Sequence, residues 1–369
     1  MNLSHNKNVD IHIYKNIYFS VCIVLSIIGL IVIYSTTVCK STPVYNFFLK
    51  QIIATIIGLC LCISIARLKH QYFRIITYPL LILTALLLIT VLFMPEIKGS
   101  RRWIPLPFIG NFQPSELAKF SIVLFTAKFI DKHRSKIVNG KKEFWILVGV
   151  VSSFCVLILL QKDIGIPAII FCVTCTLLFI AGIDIKYLIK LLVIVLPVFI
   201  GALVTQPHRV NRIKQFFLDR EKSISSYQIK QSIFAISRGK FFGCGLGRGV
   251  FKEYYIPEIH TDFIFCTIGE ELGFIGSLLI VGAFLSLAYF GSLIAHRLYY
   301  TQGGFYGSML VLGLTLYTVI QAYLNIAVVT KLFLPKGIGL PFVSYGGSSM
   351  VVNFITLGTI LSVCNTTKK

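Results

Sequence analysis

Long, continuous apolar runs interrupt this chain from end to end, and no other feature constrains its fold as tightly. A helix that crosses a hydrocarbon layer roughly 30 Å thick needs about 20 predominantly apolar residues, and about ten runs of that kind are present. They lie at 17–37, 46–66, 73–94, 116–131, 144–160, 164–183, 185–205, 263–295, 305–330 and 341–364. Within them apolar and polar residues do not alternate, which argues against a transmembrane barrel. With 56% hydrophobic and 13% charged residues, the chain is also far from the composition of a soluble globular domain. The expected fold is an all-α polytopic membrane protein. It forms one integral membrane domain over 1–369, with larger loops at about 95–115 and 206–262. The first run is too long for a signal peptide and is expected to stay in the membrane.

The formal net charge of +21 is carried largely by the segments between runs. Lys7 and Lys15 precede the first run, and Arg67, Lys69 and Arg74 follow the second. Lys132, Arg134, Lys136, Lys141 and Lys142 separate the fourth from the fifth, Arg297 follows the eighth, and Lys368 and Lys369 close the chain. With ten spans these all fall on one side, so both termini are expected in the cytoplasm. The loops 95–115 and 206–262 depart from that bias with many Arg and Lys. They are either a solvated surface or a face that meets an anionic partner such as a lipid diphosphate, and no nucleic-acid partner is expected. Ten cysteines show no metal-type clustering, and no disulfide framework is expected. Tyr34, Ser35, Thr36 and Thr37, at the end of the first run, read as interface residues.

Chemistry concentrates in four stretches. Pro105, Pro107 and Pro114 force a shaped loop before the fourth run, with Trp103 as an interfacial anchor. Ser115 is the expected cap of that run, with Glu116 in its first turn and Lys119 three residues on. Glu116 and Lys119 form a simple intrahelical pair or face a polar cavity, since charges inside a span are expensive. Asp163 stands at a helix start as a cap or a charged site residue, with Lys162 as its candidate partner. Gly243, Gly245, Gly247 and Gly249 permit sharp turns, and amides there are candidates to cradle phosphate oxygens. Tyr255 to Gly273 crowds Glu258, Asp262, Glu270 and Glu271 at the mouth of the eighth run. A partly desolvated Asp262 suits a general base. Glu270, about 12 Å further along a helix, is too deep to pair with Asp262 as glycosidase acids do. Sugar chemistry here therefore needs a leaving group that departs without a proton, and a diphosphate is one.

The run Tyr255-Ile-Pro-Glu-Ile-His-Thr-Asp-Phe-Ile-Phe265, then Gly269-Glu-Glu-Leu-Gly273 and Lys336-Gly-Ile-Gly-Leu-Pro-Phe-Val-Ser-Tyr-Gly-Gly-Ser-Ser349, resembles the signatures of the SEDS family (shape, elongation, division and sporulation). Arg101-Arg-Trp103 and Gln113-Pro-Ser-Glu-Leu-Ala-Lys119 resemble its first outer loop, and the likeness spans about 15–364. Tyr227-Gln228, Gln231-Ser232, Gly243–Gly247 and Lys336-Gly337 are more similar to its division branch than to its elongation branch. The stretch Gln161-Lys-Asp-Ile-Gly-Ile166 departs from the family's Gln-Pro-Asp-Leu-Gly-Thr, and Ser237-Arg-Gly-Lys240 from a more glycine-rich pattern.

The resemblance implies a polymerase that joins lipid II, an undecaprenyl diphosphate-linked disaccharide peptide, into glycan strands at the outer face of the bacterial cytoplasmic membrane. Asp262 is then the catalytic residue. Arg102 and Lys119, with Arg209 or Arg212, balance the diphosphate, and Glu116, Asp163, His260, Glu270 and Glu271 are supporting polar residues. A divalent cation, Mg or Mn, is a candidate helper of unknown site. The implied partners are a class B penicillin-binding protein transpeptidase and other division-complex membrane proteins. A lipid II flippase, an elongation polymerase and a structural scaffold stand as alternatives. Ser344 to Ser349 is read as small residues for close helix packing.

Overall fold

The computed structural model describes residues 2–38, 45–97, 99–106, 110–204, 224–251, 259–301, 304–334 and 336–366. Among these are eleven α-helices and one short hairpin. The helices are α1 (Asn2–Val38), α2 (Tyr45–Ala66), α3 (Gln71–Thr90), α4 (Pro114–Val138), α5 (Lys142–Leu160), α6 (Gly165–Ala181), α7 (Ile185–Val204), α8 (Ile224–Gly239), α9 (Ile264–Tyr299), α10 (Gly304–Val329) and α11 (Gly347–Thr366). Each of the ten apolar runs coincides with a helix, and α8 adds an eleventh within the 206–262 loop. Seven of the helices are long and apolar enough to cross a membrane, and α6 is a shorter apolar helix. The strands β1 (Ile104–Leu106) and β2 (Gly110–Phe112) pair antiparallel, with Ile104 opposite Phe112.

α11 packs along α2, α9 lies against α10, α1 and α8, and α4 contacts α3, α5, α6, α10 and α11. α4 corresponds to the shortest and most charged run, yet it is enclosed from Pro114 to Ala127 apart from Leu117. Its charges are admissible there because Glu116 and Lys119 neutralise each other inside the bundle. The helix starts differently from expectation. Gln113 is the N-cap residue and Pro114 occupies the first turn, while Ser115 lies inside the helix and its Oγ accepts from Gln113 Nε2 at 2.9 Å.

Residues of several of the basic segments meet one another. Lys15 Nζ reaches Asn365 Oδ1 at 2.9 Å, Asn365 Nδ2 reaches Ala66 O at 3.0 Å, Arg74 pairs with Asp131 at 2.9 Å, and Arg134 donates to Tyr299 OH at 3.2 Å. At the C-terminal end of α1, Ser35, Thr36 and Thr37 are buried rather than interfacial; of the four residues placed at an interface, only Tyr34 is exposed.

Two departures from regular helix shape the bundle near that end. α9 is broken at Gly273 (φ 69°), where Phe274 N donates to Lys240 O at 2.8 Å. A Cβ on Gly273 would sit 2.3 Å from Gly243 N, so only glycine allows this approach. The second is the segment 336–346, whose residues 341–346 were expected to open the last span; it is non-helical and returns into the bundle. Leu340, Phe342 and Val343 are buried, and the Cβ position of Gly29 in mid-α1 is 2.6 Å from Val343 O. Gly29 is nine residues from the end of α1, so the segment reaches about 13 Å below it. Irregular backbone at such depth persists because protein surrounds it and satisfies its polar groups.

Candidate active site

The returning segment organises the site. Ser344 Oγ, expected to serve helix packing, instead donates to Thr261 O at 2.5 Å and accepts from Leu340 N at 2.7 Å. Tyr345 N donates to His260 O at 2.9 Å, and the rings of His260, Tyr345 and Phe47 lie with centroids 5.0 to 5.6 Å apart. Gln51 of α2 accepts from Gly346 N at 3.1 Å. The turn 259–262 is thereby stapled to 336–346, with Asp262 half-buried at its end. The Asp262 carboxylate lies over the backbone of Gly337: a Cβ there would be 2.6 Å from Oδ2 and 3.8 Å from Oδ1.

One residue before Gly337, Lys336 Nζ pairs with Asp163 Oδ1 at 3.2 Å, and Arg102 Nη1 pairs with Asp163 Oδ2 at 3.5 Å. Arg102 also donates to Gln161 O at 3.3 Å and to Lys162 O, carbonyls at the C-terminal end of α5 where the helix dipole favours a cation. Asp163 Oδ1 accepts from Gly165 N at 2.9 Å, as a carboxylate at a helix start does. Lys162, expected beside Asp163, pairs instead with Glu96 at 2.6 Å. With Leu92, Glu96, Arg101 and Leu160 it lines a separate cleft of about 380 Å³. Its backbone has a positive φ of 64°.

Burial by itself pushes the Asp163 carboxyl up. The Lys336 and Arg102 charges, with hydrogen bonds from Lys336 and the Ile166 amide, outweigh burial and hold it below the usual carboxylate range. A folded-state value below the unfolded one of about 3.9 gives stability that is present above the unfolded value and lost as pH falls through the folded one. Asp163→Asn is therefore expected to lower the melting temperature of purified protein by a steady amount between about pH 8 and 5, and by a shrinking amount below about pH 4. A gap that persists undiminished to about pH 3 would contradict the assignment.

Lys119 is 1% exposed. Its ammonium contacts both oxygens of Glu116 at 3.0 Å and also Gln321 Oε1. An ammonium has three donors, and here protein acceptors take them, so Lys119 does not lie open to a diphosphate as expected. Gln321 carries its influence onward, with Nε2 donating to Gly339 O at 2.9 Å. Removing one member of a buried ion pair typically costs about 3–5 kcal/mol, because the other is left uncompensated. Lys119→Met should destabilise by that order in thermal unfolding, and adding Glu116→Gln should restore much of the loss.

Glu270 and Glu271, 0% and 1% exposed, hold the glycine-rich turn. Glu270 Oε1 accepts from Val250 N at 2.8 Å and lies 3.6 Å from Arg238 Nη1. Glu271 accepts from Ser35 Oγ at 2.7 and 2.8 Å, and from Gly249 N at 3.4 Å. Cys244 N and Gly245 N donate to the Glu270 and Glu271 carbonyls at 2.9 and 3.1 Å. Of these amides, expected to cradle phosphate, those of Cys244 and Gly245 are thus taken by main-chain carbonyls, while Gly249 N and Val250 N meet the carboxylates of Glu271 and Glu270.

Arg209, Arg212 and Glu258 lie outside the described residues. Among the described residues no group of three or more His, Cys, Asp or Glu is gathered to hold a metal ion. Asp163 faces two cations and Glu116 faces Lys119, so these acids do not fit a resident Mg or Mn. Sequence reasoning missed Lys336, Gln321 and Asn325 as site residues. The first was visible only as part of a signature, and the amides sit in an apolar run that gives no sign of what they face.

The family profile described as cell cycle protein, covering FtsW, RodA and SpoVE, matches residues 15–369. The chain is 35% identical over 358 residues to a probable peptidoglycan glycosyltransferase FtsW of Trichlorobacter lovleyi, covering 95% of this chain and 93% of that one. It is 34% identical to the stage V sporulation protein E of Bacillus subtilis, covering 93% and 94%. Among solved structures, it matches a chain from a study of how a peptidoglycan synthase complex coordinates polymerization and crosslinking, with TM-score 0.78, 23% identity and coverage of 95% and 98%. It matches the rod shape determining protein RodA of Thermus thermophilus with TM-score 0.69, 23% identity and coverage of 95% and 97%.

Proposed function

The chain belongs to the FtsW, RodA and SpoVE cell cycle protein family, and from that premise we propose that it is a multi-pass membrane peptidoglycan glycosyltransferase that polymerises lipid II with Asp262 as general base. The observation that carries the chemistry is the Asp262 carboxylate, half-buried and fixed over Gly337, next to the Asp163 centre with its two cations. Asp262 accepts the proton of the acceptor sugar hydroxyl as that oxygen attacks the anomeric carbon of the donor. The bond from that carbon to the diphosphate breaks, and undecaprenyl diphosphate leaves carrying the electron pair. Arg102 and Lys336, both partly exposed, supply positive charge for the departing diphosphate. Lys119, Glu116 and Gln321 act behind them by holding 336–346 in place, and Glu270 and Glu271 do the same for the turn before α9.

One displacement at the anomeric carbon inverts its configuration, so an α-linked lipid diphosphate gives a β-linked strand. Purified protein incubated with lipid II should yield polymer that lysozyme, which cleaves β-linkages, degrades completely. Resistant polymer would mean that the reaction retains configuration.

The active site is assigned to the outer face of the cytoplasmic membrane, with the basic end of the bundle inside. A class B penicillin-binding protein is the proposed partner. The relatives named FtsW favour septal wall synthesis in division as the setting.

A further inference from the structure

α10 carries two buried amides one turn apart, Gln321 and Asn325, which are 2% and 1% exposed and share a helix face through their i, i+4 spacing. Gln321 joins Lys119 to Gly339. Asn325 Nδ2 donates to Ile338 O at 2.6 Å and to the backbone O of Asp262 at 2.8 Å. An amide nitrogen has two hydrogens, so both are spent on joining two stretches far apart in sequence: the turn that ends in Asp262 and the segment that contains Gly337.

The contact those bonds enforce is the one that defines the site, since Asp262 Oδ2 sits 2.6 Å from where a Gly337 Cβ would be. Asn325 Oδ1, by contrast, is buried with no hydrogen-bond partner among the described residues. An unpaired buried acceptor is a cost to the fold, so the two donated bonds are what account for an amide here.

We propose that Asn325 is a positioning residue for glycosyl transfer. It holds the Asp262 turn against the Gly337 segment and so fixes where the Asp262 carboxylate meets the acceptor hydroxyl, acting through Asp262 and not on substrate. The inference rests on the reading of Asp262 as base. A misplacement of about 1 Å at a reacting group costs on the order of 100-fold, which sets the expected effect.

The test uses full-length purified protein on lipid II, comparing Asn325→Leu and Asn325→Ser with Ser232→Ala. Ser232 Oγ makes a comparable buried bond, to Val329 O at 2.8 Å at the end of the same helix, without touching the Asp262 turn. Asn325→Leu should lower kcat by about 100-fold, change KM by less than about threefold, and displace the acid limb of the rate–pH profile. Asn325→Ser, which keeps one donor, should fall between it and wild type, while Ser232→Ala keeps both kcat and the limb. Wild-type kcat and limb in the Asn325 variants would overturn the inference, and so would an equal loss in Ser232→Ala with the limb unmoved. If the leucine variant does not fold, the serine variant alone decides. Full activity in Asp262→Asn would instead overturn the catalytic reading, whatever the Asn325 variants do.

Discussion

Asp262→Asn is expected to lower lipid II polymerisation by about 10²- to 10⁴-fold, the usual contribution of a positioned general base. The substitution keeps the size of the side chain and the chain's own hydrogen bond from Asn325 to the residue 262 carbonyl, which is a backbone group. It removes the negative charge and with it the ability to accept a proton. Expression, membrane insertion and melting temperature should therefore stay close to wild type, and the deficit should appear in kcat. A variant that melts normally and polymerises at the wild-type rate would remove Asp262 from the reaction.

Gly337→Ala is the second large effect, and it reaches the same carboxylate from the other side. The added methyl would lie 2.6 Å from Asp262 Oδ2 and 3.4 Å from its Cγ. The three nearest atoms outside its chain neighbours all belong to the Asp262 carboxyl group, which is the mobile end of a side chain. The fold therefore yields cheaply, and what yields is the proposed base. A displacement near 1 Å predicts on the order of 100-fold lower activity with the melting temperature nearly unchanged. A comparable Cβ on Gly273 would meet backbone atoms of Gly243 and Phe241, so Gly273→Ala should act oppositely, lowering stability by disturbing the break in α9. Measuring rate and melting temperature on both variants separates a glycine that leaves room for chemistry from one that leaves room for packing.

The helices were legible because apolar length is a local property of the chain. Each of the ten runs holds a helix, although α1 begins already at Asn2, α4 continues to Val138 and α11 begins only at Gly347, and Asp262 stood out because acids are scarce beside them. Other features depended on partners that spacing cannot reveal. Asp163 found Lys336, far along the chain, and left Lys162 to Glu96. Lys119 looked available for a diphosphate until α10 supplied Gln321 and enclosed it. The glycine-rich turn looked like an anion cradle because its amides lay unassigned, and main-chain carbonyls took those of Cys244 and Gly245 while the Glu271 and Glu270 carboxylates met those of Gly249 and Val250. The last run showed where α11 lies but not that 336–346 would fold back ahead of it, since buried loop and buried helix share the same apolar composition.

The most direct measurement is a time course with purified protein and lipid II as the sole sugar donor, run beside Asp262→Asn and read as glycan polymer and released undecaprenyl diphosphate. The expected result is that both products rise together for the wild type and that neither rises for the variant. Equal polymer from both proteins, or no polymer from a folded wild type that moves lipid II across vesicle bilayers, would contradict the assignment of a polymerase centred on Asp262.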